Sequence, residues 1–251
     1  LKIAVRGLLG ILGVLGLWEL GSLVGLFPEY YLPPPSTVLP RLVELFGDDG
    51  FVRAVVATML AWAIGMVIAT AIAVPAGLLL GSIPSVRIAT RTIIEFLRPI
   101  PSVALIPLVI VLVGAGPEAK ISLAVYAALW PIMFNTVYAL DEIDPLLIDT
   151  ARAMGLGRVR TMYAVALPHA APFILTGVRM SSAVTLIVVI SVEYLAGGTI
   201  GLGTFTLEAA STGGRQDLVL AATMLAGLIG YLIDEGMQRL RRRAFGWAEA
   251  T

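Results

Sequence analysis

Six long apolar blocks constrain this chain more than any other feature, lying at about 8–27, 55–80, 100–113, 121–140, 172–195 and 218–233. A helix of about 20 residues crosses the hydrocarbon layer of a membrane. Lipid offers no partners to backbone polar groups, so only helices or a closed barrel can cross it. The blocks are too long and continuous for the alternating strands of a barrel. With 58% hydrophobic and only 14% charged residues, a water-soluble fold would need an unusually large core for 251 residues. The expectation is an all-α membrane protein with six transmembrane helices, forming one domain over 1–251.

The first block follows Lys2 and Arg6, as in a signal peptide. No small-residue cleavage site clearly follows it and further apolar blocks do, so a retained span is expected. Leu32-Pro33-Pro34-Pro35-Ser36 is a stiff connector. Residues 38–46 have the spacing of a short amphipathic helix, ended by Gly47-Asp48-Asp49-Gly50. Pro101 and Pro107 make the third block an irregular or bent helix, and Pro131 lies inside the fourth. Gly21 with Gly25, and Gly77 with Gly81, are candidates for close helix contacts.

Charge placement gives the orientation. With a cytoplasmic N-terminus, the inner segments hold Lys2, Arg6, Arg87, Arg91, Arg98, Arg152, Arg158, Arg160, Arg239, Arg241, Arg242 and Arg243. The outer segments hold Arg41, Arg53, Lys120 and Arg215, and Arg179 falls near the inner start of span five. This bias follows the positive-inside rule and places both termini in the cytoplasm.

Several chemistries lack their residues. There is no cysteine, and a lone histidine, His169, makes no metal cluster. Zero net charge gives no reason to expect a nucleic-acid partner. Gly155-Leu156-Gly157 and Gly201-Leu202-Gly203 resemble phosphate loops, but neither continues into glycine-lysine-serine/threonine. No cofactor is therefore expected in this chain.

Glu193 lies deep in the fifth block, where a carboxylate must be paired or neutral. Structural pairing or gate packing is favoured over direct contact with a solute. Glu19 is read as a satisfied position at the outer interface beside Trp18, and Asp234 as half of an inner salt bridge. The proline-rich stretch from Arg98 through Pro101 to Pro107 is a candidate pathway element, since broken helices line cavities.

The loop at 141–168 is the most informative segment. Asp144 can cap a helix begun by Pro145, and Gly155 can end it. Leu147, Ala151 and Met154 share one face at helical spacing. Such a loop presents apolar and charged surface to a soluble partner, or packs only on its own bundle.

Here the sequence resembles bacterial binding-protein-dependent ABC permeases. Their signature cytoplasmic loop starts with Glu-Ala-Ala, has glycine six residues after the acid and ends in Leu-Pro. This chain has Asp149-Thr150-Ala151, Gly155 and Leu167-Pro168; Asp149 and Thr150 depart from the pattern. Leu32 to Ser36, Leu97 to Ser102, Pro107-Leu108, Pro172 through Gly177-Val178-Arg179, Glu193, Gly201 to Gly203, Asp234 and Trp247 resemble the nitrate/sulfonate/taurine/bicarbonate subgroup. Trp62 stands near where that subgroup often has arginine.

The resemblance implies a type I ABC importer permease bundle in the bacterial cytoplasmic (inner) membrane. It implies a homodimer with a second copy, two cytoplasmic ATPases that use ATP and Mg2+, and an extracytoplasmic solute-binding protein. Asp149, Ala151, Gly155, Leu167 and Pro168 are the implied coupling positions to the ATPase. The implied cargo is a small polar solute: a sulfonate, nitrate or bicarbonate anion, or alternatively a heteroaromatic vitamin precursor. A membrane enzyme would need a catalytic cluster at one depth, and an ion-coupled carrier an inverted repeat with matched buried charges. Neither pattern is visible.

Overall fold

The computed structural model describes residues 2–26, 28–197 and 200–246, with side chains from Val5 onward. All regular elements among these residues are helical. Trp247 lies outside the described residues. Five helices are long and apolar enough to cross a membrane: α1 (Lys2–Leu23), α3 (Asp49–Ser82), α6 (Pro117–Asp141), α9 (Leu167–Ala196) and α11 (Gln216–Phe245). The short α2 (Pro35–Leu45) links α1 to α3.

The third apolar block is bent, as its prolines imply, but only its second half is α-helical. α5 (Ile106–Val113) follows α4 (Pro84–Leu97) through a 3-10 turn at Ser102–Leu105, and the two form a pair bent by 78°. Only when this pair counts as one crossing does the number reach six. At about 1.5 Å per residue, α5 alone reaches about 12 Å and cannot span. The segment before it, expected as an inner loop, is the 14-residue amphipathic α4.

Prolines set the breaks. Pro84 disfavours helical backbone at the residue before it, and Ile83 is extended between α3 and α4 (φ −123, ψ 96). Pro101 precedes the 3-10 turn, and Pro107 sits in the first turn of α5, where a missing N–H costs nothing. Asp48 caps α3 by accepting from the Gly50 and Phe51 amides at 2.7 and 3.0 Å.

α6 lies at the centre, between α3 and α9, with Ala69, Ala73, Ala124, Ala128, Ile132 and Val189 fully buried. Lipid is as apolar as the helices, so close packing and interhelical hydrogen bonds hold them together. Gly77 lets α3 approach α6: a Cβ there would lie 2.6 Å from Thr136 Cβ. A Cβ at Gly81 would likewise press on Leu140, whereas one at Gly25 would meet open space. Ser181 Oγ donates to the Ala128 carbonyl at 2.8 Å. Trp62 Nε1–H donates to the Ser182 carbonyl at 2.9 Å, so this departing residue joins α3 to α9.

Polar pairs attach the outlying helices. The Glu19 carboxylate accepts from Ser36 N–H and Oγ–H at 3.0 and 2.7 Å, joining α1 to the N-terminus of α2. Arg41 of α2 pairs with Asp217 of α11 at 2.8 Å. Arg179 of α9 grips Asp234 of α11 through two bonds of 2.6 and 2.9 Å, the expected salt bridge. Replacing Gly77 by valine is expected to push α3 away from α6 and lower stability by about 1–3 kcal/mol. Thermal unfolding of the purified variant in detergent checks this.

Candidate functional site

The 141–168 segment folds largely as its residues dictate. Asp144 Oδ1 accepts from the Leu146 amide at 2.8 Å and caps α7 (Pro145–Ala153). Gly155 ends it with φ +79, a conformation that favours glycine. The Gly155 amide donates to the Arg152 carbonyl at 2.9 Å, and the Leu156 amide to the Ala151 carbonyl at 3.0 Å. These two bonds form a Schellman termination. α8 (Arg158–Thr161) follows, then a π-turn at Met162–Ala166 that leads directly into α9. Pro168, in the first turn of α9, has no N–H and crowds the preceding turn, which the wider π-turn accommodates.

The expected apolar face divides. Ala151 is buried, but Leu147 and Met154 are exposed, at 48% and 75%. Ile148, Ala151 and Leu156 instead turn toward the bundle. Asp149 is exposed and pairs with Arg152 at 3.2 Å, Leu167 is half-buried and Pro168 is exposed. Between this segment and the α3–α4 corner lies a groove of about 1080 Å³, lined by Leu78, Ile83, Ile148, Arg152, Leu156 and Tyr163 among others.

At the opposite end of α9, Glu193 is fully buried. Lys120 Nζ, also buried, lies 2.8 Å from its Oε1 and donates to the Ile200 carbonyl at 3.0 Å. Thr58 Oγ–H donates to Glu193 Oε2 at 2.8 Å, while Thr58 Oγ accepts from the Leu202 amide at 2.8 Å. The Gly203 amide donates to Oε2 at 3.1 Å. α3, α6, α9 and α10 (Leu202–Ser211) therefore meet on one carboxylate. The motif Gly201-Leu202-Gly203 cradles this carboxylate. A Cβ at Gly201 would strike the Glu193 carboxyl, and one at Gly203 the Ile190 carbonyl.

Lys120 was expected as an outer loop charge and is instead part of the core. The signal for it was present: an acid ends span five and a cation begins span four, at the same end of the bundle. The Arg98–Pro107 stretch lies elsewhere. Arg98 Cζ stands 4.5 Å over the Phe134 ring. Lys120 and Phe134 are 14 positions apart on α6, or about 21 Å along its axis, so the structure does not bring Arg98 and Glu193 together. Pro101 and Pro107 are exposed. Among the described residues, no group of three or more His, Cys, Asp or Glu side chains could hold a metal ion.

Residues 73–245 match the family model described as "Binding-protein-dependent transport system inner membrane component". The chain belongs to that family. It is thus an ABC transporter permease, a multi-pass component of the inner membrane. The permease is 31% identical over 236 residues to the taurine transport system permease protein TauC of Escherichia coli, covering 92% of this chain and 85% of that protein. It is 28% identical over 237 residues to the bicarbonate transport system permease protein CmpB of Synechocystis sp., covering 90% and 83%.

Solved structures agree on the fold. One is an inward-facing form of the MetNI methionine ABC transporter (TM-score 0.67, 24% identity, 76% of this chain and 94% of that one). Another is a bacterial ABC transporter involved in import of the acidic polysaccharide alginate (TM-score 0.69, 17% identity, 97% and 96%).

Removing one partner of the Lys120–Glu193 pair leaves a buried charge uncompensated, a loss of about 3–5 kcal/mol. Glu193→Gln and Lys120→Met are each expected to destabilise the permease strongly. The double variant should be less destabilised than the sum of the two. Unfolding midpoints of all three in detergent measure this coupling.

Proposed function

We propose that this permease forms the membrane pathway of an ATP-driven importer for a small polar solute with an oxyanion group, a sulfonate such as taurine, nitrate or bicarbonate. The α7–Gly155–α8 segment carries this reading. It is a capped and sharply terminated helix pair with Leu146, Leu147, Met154 and Val159 exposed beside Asp149 and Arg152. Apolar side chains among charges form a docking surface when a soluble partner covers them.

In this reading two copies of the permease enclose the pathway, each crosses the membrane six times with the bent α4–α5 pair as one crossing, and both termini are cytoplasmic. Two ATPase subunits bind ATP and Mg2+ and grip the coupling segments. Asp149 supplies a charged contact there, and Gly155 holds the turn. Ala151 packs the helix onto its own bundle, and Leu167-Pro168 passes the motion into α9. A solute-binding protein delivers cargo at the outer face. The taurine and bicarbonate permeases among its relatives support a cargo with an oxyanion group over a vitamin precursor.

The fixed turn at Gly155 makes a definite expectation. A valine there carries about 1–2 kcal/mol of left-handed strain, so Gly155→Val should weaken ATPase capture about fivefold or more. Affinity purification of the tagged complex in mild detergent, followed by intact-mass determination, checks both points. Two permease chains with two ATPase chains are expected for the wild type. An intact assembly that lacks ATPase, with nucleotide present, rejects the importer.

A further inference from the structure

The corner between α4 and α5 holds an exposed cation, Arg98, beside α6, a helix long and apolar enough to cross a membrane. Arg87 binds Asp141 at the end of α6, through bonds of 2.9 and 2.8 Å. The Leu97 carbonyl, ten residues further along α4, accepts from Tyr126 Oη–H at 2.7 Å. α4 therefore climbs along α6 from position 141 to position 126, about 22 Å of a helix about 37 Å long. Its exposed charges, including the Arg91–Glu95 pair at 2.7 Å, lie alongside that stretch of a helix long and apolar enough to cross a membrane. Lipid does not accept such a face, whereas a water-filled path does.

Arg98 begins the break at the top of α4. Glu95, one turn back, is already bonded to Arg91. Arg98 has no acidic partner among the described residues, and its guanidinium rests on the Phe134 ring. Tyr126, Trp130 and Phe134 form a row on α6, with Tyr126 edge-on to Trp130 at 5.7 Å and Trp130 stacked on Phe134 at 6.5 Å. Trp130 Nε1–H is buried with no acceptor among the described residues. An unpaired cation and an unused buried donor thus belong to one aromatic row. The buried indole N–H calls for an acceptor, and the free guanidinium fork matches the two oxygens of a carboxylate, sulfonate or nitrate group.

We infer that Arg98, on the aromatic row that includes Trp130, is an anion-recognition station on the translocation pathway, taking a solute that carries a small singly charged oxyanion group. Phe134 holds the guanidinium from one side, and Tyr126 is a positioning residue that fixes the Leu97–Arg98 corner. This inference rests on the anion-import reading and adds the residues that select the charge.

The test uses the complete complex of permease, ATPase and binding protein in proteoliposomes, with taurine, nitrate and bicarbonate as probes. Solute transported per ATP hydrolysed is measured for wild type, Arg98→Ala, Arg98→Lys and Trp130→Phe, using whichever probes the wild type imports. Arg98→Ala should lower the ratio about tenfold or more, with ATPase stimulation by the loaded binding protein preserved. Arg98→Lys should retain part of the transport, and Trp130→Phe, which keeps the ring and loses the donor, should lower the ratio a few-fold. The inference is overturned if the ratio in Arg98→Ala and Trp130→Phe stays within about twofold of wild type. It is equally overturned if transport and ATPase activity fall together in Arg98→Ala and Arg98→Lys, as a purely structural corner would require. A wild-type complex that imports a solute lacking an oxyanion group and none of the three probes overturns the cargo reading as well.

Discussion

A carboxylate and an ammonium group out of reach of water organise one end of this permease. Each carries a desolvation cost of several kcal/mol, offset only where geometry and further hydrogen bonds are good. Glu193 meets that condition through Lys120, Thr58 and the Gly203 amide, and Lys120 adds the Ile200 carbonyl. Because those groups come from four helices and the turn before α10, none of the elements can shift alone without leaving a charge unsatisfied. The two glycines follow from the same constraint, since a side chain at either would fill the space that the carboxylate and the α9 backbone occupy.

The opposite end is built differently. α7 touches its neighbours sparsely, its apolar side chains stand in the open, and a groove of about 1080 Å³ separates the segment from the α3–α4 corner. A helix with a strong cap and a strong stop but few packing contacts behaves as a rigid handle on a loose mount. Joined to α9 through a π-turn, it can pass displacement into the bundle as a unit. The same α9 that carries the handle at one end carries Glu193 at the other. A coupled change of state must move the first while keeping the second satisfied.

Much of the candidate site could be read along the chain. Asp144, Pro145 and Gly155 act within a few residues of one another, and their effects on the local backbone are those their chemistry predicts. The need of Glu193 for a partner was likewise legible, as was the Asp234 salt bridge. The apolar face of α7 was less so. Leu147, Ala151 and Met154 share helical spacing, yet only Ala151 turns inward, because the bundle lies on the side of Ile148 and Leu156. Periodicity identifies a face but not what stands opposite it. α4 escaped notice for a related reason: Arg87, Arg91 and Glu95 mark a polar stripe that looks like loop from composition and is helix in three dimensions.

The amino-acid sequence by itself determined that this protein is a bundle of apolar helices, where most of those helices begin and end, and which short segment is shaped to leave it. These are consequences of local rules: backbone groups in lipid must be satisfied within their own segment, and caps and prolines act on adjacent residues. Only the tertiary structure decided that Lys120 is a core residue, that Gly201-Leu202-Gly203 encloses a carboxylate, and that Arg98 stands on an aromatic row midway along α6. Lys120 lies 73 positions from Glu193, Thr58 lies 144 from the Leu202 amide it accepts, and Arg98 lies 36 from Phe134. Their juxtaposition depends on how whole helices cross, and no local property of the chain specifies that.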